Sequence, residues 1–127
     1  METAKHMGIW MDHSIAHLME IIDGTIAVYS VKSEFPYPEK GQGLSNGQKL
    51  TTDKEQPGVS AYYRKLRDTI LNYQKVVLFG PTTAKNELLN LLKVDQQFEN
   101  IKIEVKQADN MNGNERIAFV RGYFLND

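Results

Sequence analysis

The sequence predicts an α/β fold, in which one five-stranded mixed sheet is covered by helices on both faces. Three observations predict it. Runs rich in β-branched residues flank Asp23-Gly24, a pair typical of a two-residue hairpin. The apolar spacing becomes helical from Val59 onward, and a continuous apolar run at 75–80 has the composition of a buried central strand. The predicted order is β-β-β-α-β-α-β-α.

The first third of the chain predicts an antiparallel meander of three strands. MGIWM (7–11) is short, apolar and aromatic, and IAHLMEII (15–22) is rich in β-branched residues, so each predicts a strand. The DHS stretch between them predicts a turn. TIAVYSV (25–31) completes the meander after Asp23-Gly24, because a type I′ turn requires positive φ at both central residues.

Residues 33–58 predict a long loop inside a single domain spanning 1–127. The segment holds three of the four prolines and four of the nine glycines, and it shows no sustained period. A connection of this length is usually functional or disordered. Its stretch KGQGLSNGQK (40–49) leaves three interpretations open: slack connection, a mobile finger for a partner, or the remnant of a catalytic tip.

The remainder of the chain alternates helices and strands. After the loop we expect a helix from Val59 with one apolar face, a buried strand, a helix with a threonine N-cap, a half-exposed edge strand and a final helix. Their segments are 59–73, KVVLFG (75–80), TTAKNELLNLLK (82–93), IKIEVKQ (101–107) and NGNERIAFVRGYF (112–124). Right-handed crossovers place the last two strands parallel, beside the first strand. The predicted sheet order is therefore 3-2-1-4-5, a ribonuclease H-like three-layer architecture.

Composition limits the classes of function. Fifteen Lys plus Arg against sixteen Asp plus Glu give a net charge of −1, which disfavours binding to nucleic acid by bulk attraction but allows a local basic face. The absence of cysteine excludes disulfides, thiolate zinc sites and cysteine nucleophiles. No apolar run approaches the length of a membrane span, and the N-terminus lacks the apolar core of a signal peptide. We expect a cytoplasmic protein without a membrane partner.

Asp12 is a catalytic candidate. It ends the first strand, close to where ribonuclease H-like nucleases place a metal-binding aspartate, but two-metal chemistry needs several converging carboxylates. The sequence offers only Asp68 on the first helix and Glu115 near the start of the last. The alternative is a turn residue that hydrogen-bonds its own backbone. His13 and His17 lie about 13 Å apart along an extended strand, so we expect no shared metal and assign no cofactor.

Two further groups are binding candidates. The turn GPTTAK joins a buried strand to a helix N-terminus, where Gly80, Thr82, Thr83 and Lys85 could hold a phosphate or carboxylate. The alternative is ordinary helix capping, since the turn lacks the second glycine and the Lys-Ser/Thr pair of a P-loop. The densest basic group follows the long loop: Arg64, Lys65 and Arg67. It is either a contact for RNA phosphate or a solvated helix face.

Three stretches carry a resemblance to a known family. GIWMDHSIAHLMEI, VVLFGPTTAKNELLNLL and KQADNMNGNERIAFVRGYF resemble small bacterial proteins described as translational-machinery-like. These are related to the middle domain of the archaeal and eukaryotic class I peptide-chain release factor (subunit 1) and of Pelota. The likeness covers nearly the whole chain outside 33–58, and the Gly-Pro-x-x-Ala-Lys-x-Glu pattern at 80–87 is its most diagnostic part.

The resemblance implies a role for the long loop. In the release factor's middle domain, a Gly-Gly-Gln tip in the corresponding loop promotes peptidyl-tRNA hydrolysis. This sequence has Gly41-Gln42-Gly43 and Asn46-Gly47-Gln48 instead, and the resemblance makes Gln42 and Gln48 catalytic candidates. The departure matters because paired glycines reach backbone conformations that other residues avoid.

Three functions follow as hypotheses. The first is a non-catalytic binding module that docks on the ribosome, on RNA or on a translation factor. The second is a hydrolase acting on a peptidyl-tRNA ester or a nucleic-acid phosphodiester. The third is a self-associating structural domain that buries Phe35, Tyr37 and Leu44 of the loop against a second copy.

Overall fold

The computed structural model describes residues 5–33 and 57–125. The strands are β1 (Lys5–Met11), β2 (Ile15–Ile22), β3 (Thr25–Lys32), β4 (Lys75–Gly80) and β5 (Lys102–Gln107). The helices are α1 (Pro57–Ile70), α2 (Ala84–Lys93) and α3 (Gly113–Leu125), and a single 3₁₀ turn at Gln96–Phe98 lies between α2 and β5. This is the predicted order of elements, with the 3₁₀ turn as an addition.

The strands form one five-stranded sheet in the order β3-β2-β1-β4-β5, as predicted. β1 pairs antiparallel with β2 and β2 with β3, whereas β1–β4 and β4–β5 are parallel. The hairpin between β2 and β3 turns at Asp23 and Gly24, whose φ angles of 59° and 80° are both positive. The Asp-Gly pair therefore predicts this turn for the right reason: both central residues must adopt positive φ.

Several predicted boundaries need correction. α1 begins at Pro57 and not at Val59, consistent with the preference for proline in the first turn of a helix. It ends at Ile70, although the apolar period continues to Tyr73. The apolar spacing predicts a longer helix because Tyr73 is buried, with only 6% of the residue exposed. Its N–H donates to the carbonyl of Ile70, three residues earlier, so Tyr73 lies in the turn that follows α1. α2 begins at Ala84, two residues later than predicted.

Two clusters of buried side chains lie on opposite faces of the sheet. Residues of β1 alternate between them, since successive side chains of a strand point to opposite faces. Met7 and Ile9 join one cluster with α1 and α2, and Trp10 joins the other with Val120 of α3. The four residues of β4 that precede Gly80 (Val76, Val77, Leu78 and Phe79) are all fully buried, as expected of a central strand covered on both sides. The three-layer α/β prediction is confirmed.

None of the helices in the described ranges is long and apolar enough to cross a membrane.

Candidate functional site

The turn after β1 lies at the carboxyl edge of the sheet, where β1 and β4 end side by side. Asp12 shapes this turn, because its carboxylate Oδ1 accepts hydrogen bonds from the N–H groups of Ser14 (2.8 Å) and Ile15 (3.0 Å). The Tyr62 hydroxyl of α1 donates to the backbone carbonyl of Asp12 at 2.8 Å. Asp12 thus makes the local bonds of a turn residue, the alternative that the sequence left open.

A four-residue cluster, hereafter the edge cluster, follows on the α1–α2 side: His13, Tyr63, Thr83 and Glu87. The Glu87 carboxylate is its centre. One oxygen lies 3.1 Å from His13 Nε2 and accepts the Tyr63 hydroxyl at 2.6 Å. The other accepts the Thr83 hydroxyl at 3.2 Å. Residues from the turn after β1, from α1 and from the start of α2 therefore meet at one carboxylate.

The surroundings of Glu87 favour its ionised form. Partial burial raises the pKa of the carboxyl group, but four contributions outweigh it: the Tyr63 hydrogen bond, the charge of His13, and the hydrogen bonds from Thr83 and from His13. The net effect holds the pKa of Glu87 below its ordinary value. The position in the first turn of α2 acts in the same direction, because the helix dipole stabilises negative charge there. At neutral pH the edge cluster holds an ionised carboxylate oriented against an imidazole ring.

The predicted anion-binding turn lies beside the edge cluster. The Thr82 hydroxyl accepts the N–H of Ala84 at 3.1 Å, and the Thr83 carbonyl accepts the N–H groups of Asn86 and Glu87. Thr83 occupies the N-cap position without a side-chain capping bond, because its hydroxyl donates to Glu87 instead. Several donors that a phosphate would need are therefore satisfied by the chain itself.

Gly80 ends β4 with a φ of 150°, and a Cβ at this position would lie 2.3 Å from the carbonyl oxygen of Met11. The glycine allows the last residues of β1 and β4 to approach this closely. It thereby sets the separation of the two turns that carry His13 and Thr83.

Lys85 points inward. The residue is 3% exposed, and its ammonium group donates to the backbone carbonyl of Thr82 at 2.5 Å. Burial lowers the pKa of this lysine. Binding at the 80–85 turn stays a prediction, and in this conformation Lys85 would act on a ligand through its charge and not by direct contact.

The basic group on α1 begins one residue after Tyr63. Arg64 and Lys65 are exposed, whereas Arg67 is half-buried and contacts the neighbouring Asp68 carboxylate at 3.3 Å. With a rise of about 1.5 Å per residue, these three positions lie within about 6 Å of Tyr63 along the helix axis. Two exposed cations therefore follow Tyr63 within one turn of α1, and binding by this group also stays a prediction.

The other candidate residues either lie away from the edge cluster or fall outside the described residues. His17 Nδ1 lies 3.2 Å from the Ser30 hydroxyl, on a different part of the sheet from His13. Within 5–33 and 57–125, no group of three or more His, Cys, Asp or Glu side chains could hold a metal ion. Gln42 and Gln48 lie outside the described residues, as do Phe35, Tyr37 and Leu44. The end of β3 also lies near this edge, since the Ser33 N–H donates to the Ser14 carbonyl at 2.9 Å.

Sequence reasoning missed the edge cluster as a unit. Glu87 appeared only within a family pattern, and His13 was considered only as a partner of His17. A usable signal existed, because side chains that follow neighbouring parallel strands meet at one edge of the sheet. His13 follows β1 by two residues, and Thr83 and Glu87 follow the adjacent β4.

Comparisons with known proteins identify the class of fold. No protein-family model matches the sequence, and no curated protein matches it either. Solved structures do match. Archaeoglobus fulgidus Pelota aligns with a TM-score of 0.61 at 8% identity, over 97% of this chain and 32% of its own.

Two further structures extend the likeness. Dom34 of S. cerevisiae, described as a translation termination-like factor involved in RNA quality control pathways and interacting with Hbs1, aligns with a TM-score of 0.57 at 8% identity, over 91% of this chain and 31% of its own. The archaeal translation termination factor aRF1 aligns with a TM-score of 0.52 at 13% identity, over 86% and 32%. The chain thus spans about a third of each of these proteins. It has a release-factor/Pelota-like domain fold, and the predicted resemblance is confirmed at that level.

Proposed function

We propose that this domain is a non-catalytic, translation-associated binding module that docks on the ribosome, on RNA or on a translation factor. The observation that carries the proposal is the fold, which it shares with Pelota, Dom34 and aRF1 over at least 86% of its length. Dom34 is described as a translation termination-like factor and aRF1 as a translation termination factor. A shared fold supports a role in translation but does not determine the activity of the domain.

The α1 flank of the edge cluster is the surface we assign to docking. Arg64 and Lys65 are exposed cations on the helix that leads away from the carboxyl edge. Contacts between such side chains and RNA phosphates release counterions, so the affinity falls as salt rises. The net charge of −1 makes this local group, and not the chain as a whole, the source of attraction.

Co-sedimentation with ribosomes at low salt tests the proposal. The protein should enter the ribosomal pellet, and the double variant Arg64→Glu/Lys65→Glu should lower the bound fraction several-fold and flatten the salt dependence. The matched control is Lys93→Glu/Lys102→Glu. It makes the same change of charge at exposed positions near the opposite end of α2 and at the start of β5. A protein that stays in the supernatant with extracts of both growing and stressed cells contradicts the proposal.

A second candidate function is hydrolysis of a peptidyl-tRNA ester or of a phosphodiester. The observation that favours it is the His13–Glu87 contact at 3.1 Å, since a carboxylate that orients an imidazole is a recurring arrangement in general-base catalysis. Incubation of the protein with labelled peptidyl-tRNA and with RNA, with and without Mg²⁺ or Mn²⁺, tests this candidate.

Turnover should be lost in His13→Gln and kept in the control His17→Gln, whose ring contacts Ser30 elsewhere on the sheet. Loss of turnover in Asp12→Ala, Gln42→Ala or Gln48→Ala, with His13→Gln still active, would move the chemistry to those residues. No turnover under any condition removes the candidate.

A further inference from the structure

The two edges of the sheet are protected unequally. The outer edge strand β5 carries exposed Lys102, Glu104 and Lys106, and alternating charges of this kind discourage pairing with another chain. β3, at the other edge, carries no charge and no proline from Thr25 to Val31. Its exposed positions include two large apolar or aromatic side chains, Val28 (51% exposed) and Tyr29 (42%).

The register of the hairpin determines which backbone groups of β3 face outward. In a two-residue hairpin the flanking residues, here Ile22 and Thr25, exchange hydrogen bonds, and every second pair along the ladder does the same. The bond from the Ser33 N–H to the Ser14 carbonyl agrees with this alternation of hydrogen-bonded and non-hydrogen-bonded pairs. The N–H and C=O groups of the intervening residues therefore point away from β2: Ile26, Val28, Ser30 and Lys32. Across the described part of the chain, no backbone group bonds to this outer edge.

We propose that β3 pairs antiparallel with β3 of a second copy of this chain, so that the two sheets continue across a two-fold axis. Outward-facing residues can exchange bonds only with outward-facing residues, which limits the registers. The register that places Val28 opposite its own copy sets Ile26 opposite Ser30. It covers the most exposed large apolar side chain of the strand with an identical one, as a two-fold interface requires.

The charges at the two ends of β3 fit this register. Lys32 is the only charged residue of the strand, and Asp23 lies in the turn that precedes it; both are exposed. Antiparallel pairing about Val28 brings Lys32 opposite Gly24 of the second copy, next to its Asp23. The two ends of the interface thus each bring a lysine near an aspartate, and no like charges face one another between them.

The interface is small, so the dimer is weak. Four outward-facing residues from each copy bury less than the roughly 1,200 Å² typical of a stable complex. We therefore expect reversible association that depends on concentration, in the range of about 10 µM to about 1 mM. This inference goes beyond the proposed docking function and does not depend on it.

Analytical ultracentrifugation over that range tests the association. The wild-type mass should rise from the monomer toward twice its value. Val28→Lys should shift the transition to at least about tenfold higher concentration, because two like charges then meet at the axis. The matched control is Val94→Lys, the same substitution at an 83% exposed valine at the end of α2. Circular dichroism of each variant shows whether the monomer remains folded.

Disulfide crosslinking tests the register, since the wild-type chain has no cysteine. Val28→Cys should form a covalent dimer under mild oxidation, because residues opposite each other in a ladder have Cα atoms about 5.5 Å apart, within disulfide reach. Ser30→Cys is the control on the same strand. In this register Ser30 and its copy are offset by four residues, about 13 Å, and should crosslink far more slowly.

Two outcomes overturn the proposal. One is a monomer at every concentration, which would leave the edge uncovered or available only to a segment of another protein. The other is equal crosslinking of the two cysteine variants, which would mean random collision or a different register.

Discussion

A double-mutant cycle at Gly8 and Val120 tests how α3 packs on β1. Gly8 lies in the middle of β1, beneath α3. A Cβ at this position would lie 2.4 Å from Cγ2, 3.0 Å from Cγ1 and 3.2 Å from Cβ of Val120, all shorter than the ordinary contact distance of about 3.5 to 4.0 Å. Val120 is fully buried and therefore has little freedom to move aside. Gly8→Ala should lower the free energy of unfolding by about 1 to 3 kcal/mol, the usual cost of overpacking.

In a Val120→Ala background, the expected cost of Gly8→Ala is smaller. Val120→Ala alone removes two buried methyl groups, which costs about 2 kcal/mol from lost apolar burial and from the cavity left behind. In this background the two closest contacts to residue 8 are absent, and the new methyl group fills part of the cavity. Only the 3.2 Å contact remains, so Gly8→Ala should then cost less than about 1 kcal/mol.

Urea unfolding of the four proteins measures the cycle. The chain has one tryptophan, Trp10, which is buried on the same face of the sheet as Val120, so its fluorescence reports this region directly. Far-UV circular dichroism should give the same midpoints if unfolding is two-state. If Gly8→Ala costs the same in both backgrounds, within about 0.5 kcal/mol, the close approach of α3 to β1 is wrong.

Three further predictions concern the carboxyl edge, and urea unfolding measures each. Gly80→Ala should cost about 3 kcal/mol or more, because the residue has positive φ and its new Cβ would meet the backbone oxygen of Met11, which no rotamer change relieves; a loss below about 1 kcal/mol contradicts this close approach. Tyr62→Phe should cost about 1 kcal/mol through loss of the hydrogen bond to the Asp12 carbonyl, and an unchanged midpoint would exclude that bond. The lowered pKa of Glu87 means that its ionised form adds stability above the ordinary value of 4.5, and that this contribution is lost as the pH falls through the lowered pKa. The stability difference between wild type and Glu87→Gln should therefore shrink on acidification from about pH 6 to about pH 3, and a constant difference would contradict it.

The sheet order could be predicted because each step has a local physical cause. The Asp23-Gly24 turn requires residues that accept positive φ, and the parallel pairing of β4 and β5 follows from the handedness of the crossovers. Helix ends were less predictable, since an apolar period reports burial and not hydrogen bonding. Tyr73 shows the difference: it is buried with α1 but follows the end of that helix.

The site was harder to predict than the fold, because its contacts join distant parts of the chain. His13 and Glu87 are 74 residues apart, and only the three-dimensional pairing of β1 with β4 brings them together. Lys85 was a predicted binding residue whose burial was missed, for a local reason. It shares the spacing of Leu88 and Leu92, the buried face of α2, and this periodicity could have indicated an inward-facing lysine.

The first turn of α2 also determines how a polyanion could approach this edge. Glu87 turns its ionised carboxylate toward the surface, with 47% of the side chain exposed, whereas Lys85 turns inward and is 3% exposed. The turn therefore presents negative charge to solvent, which repels phosphate. Arg64 and Lys65 are the exposed cations that follow Tyr63, the α1 residue bound to the same carboxylate. An RNA ligand at this edge would be favoured along α1 and disfavoured over α2, so charge reversal on α1 is the perturbation that distinguishes docking at this edge from attraction elsewhere on the molecule.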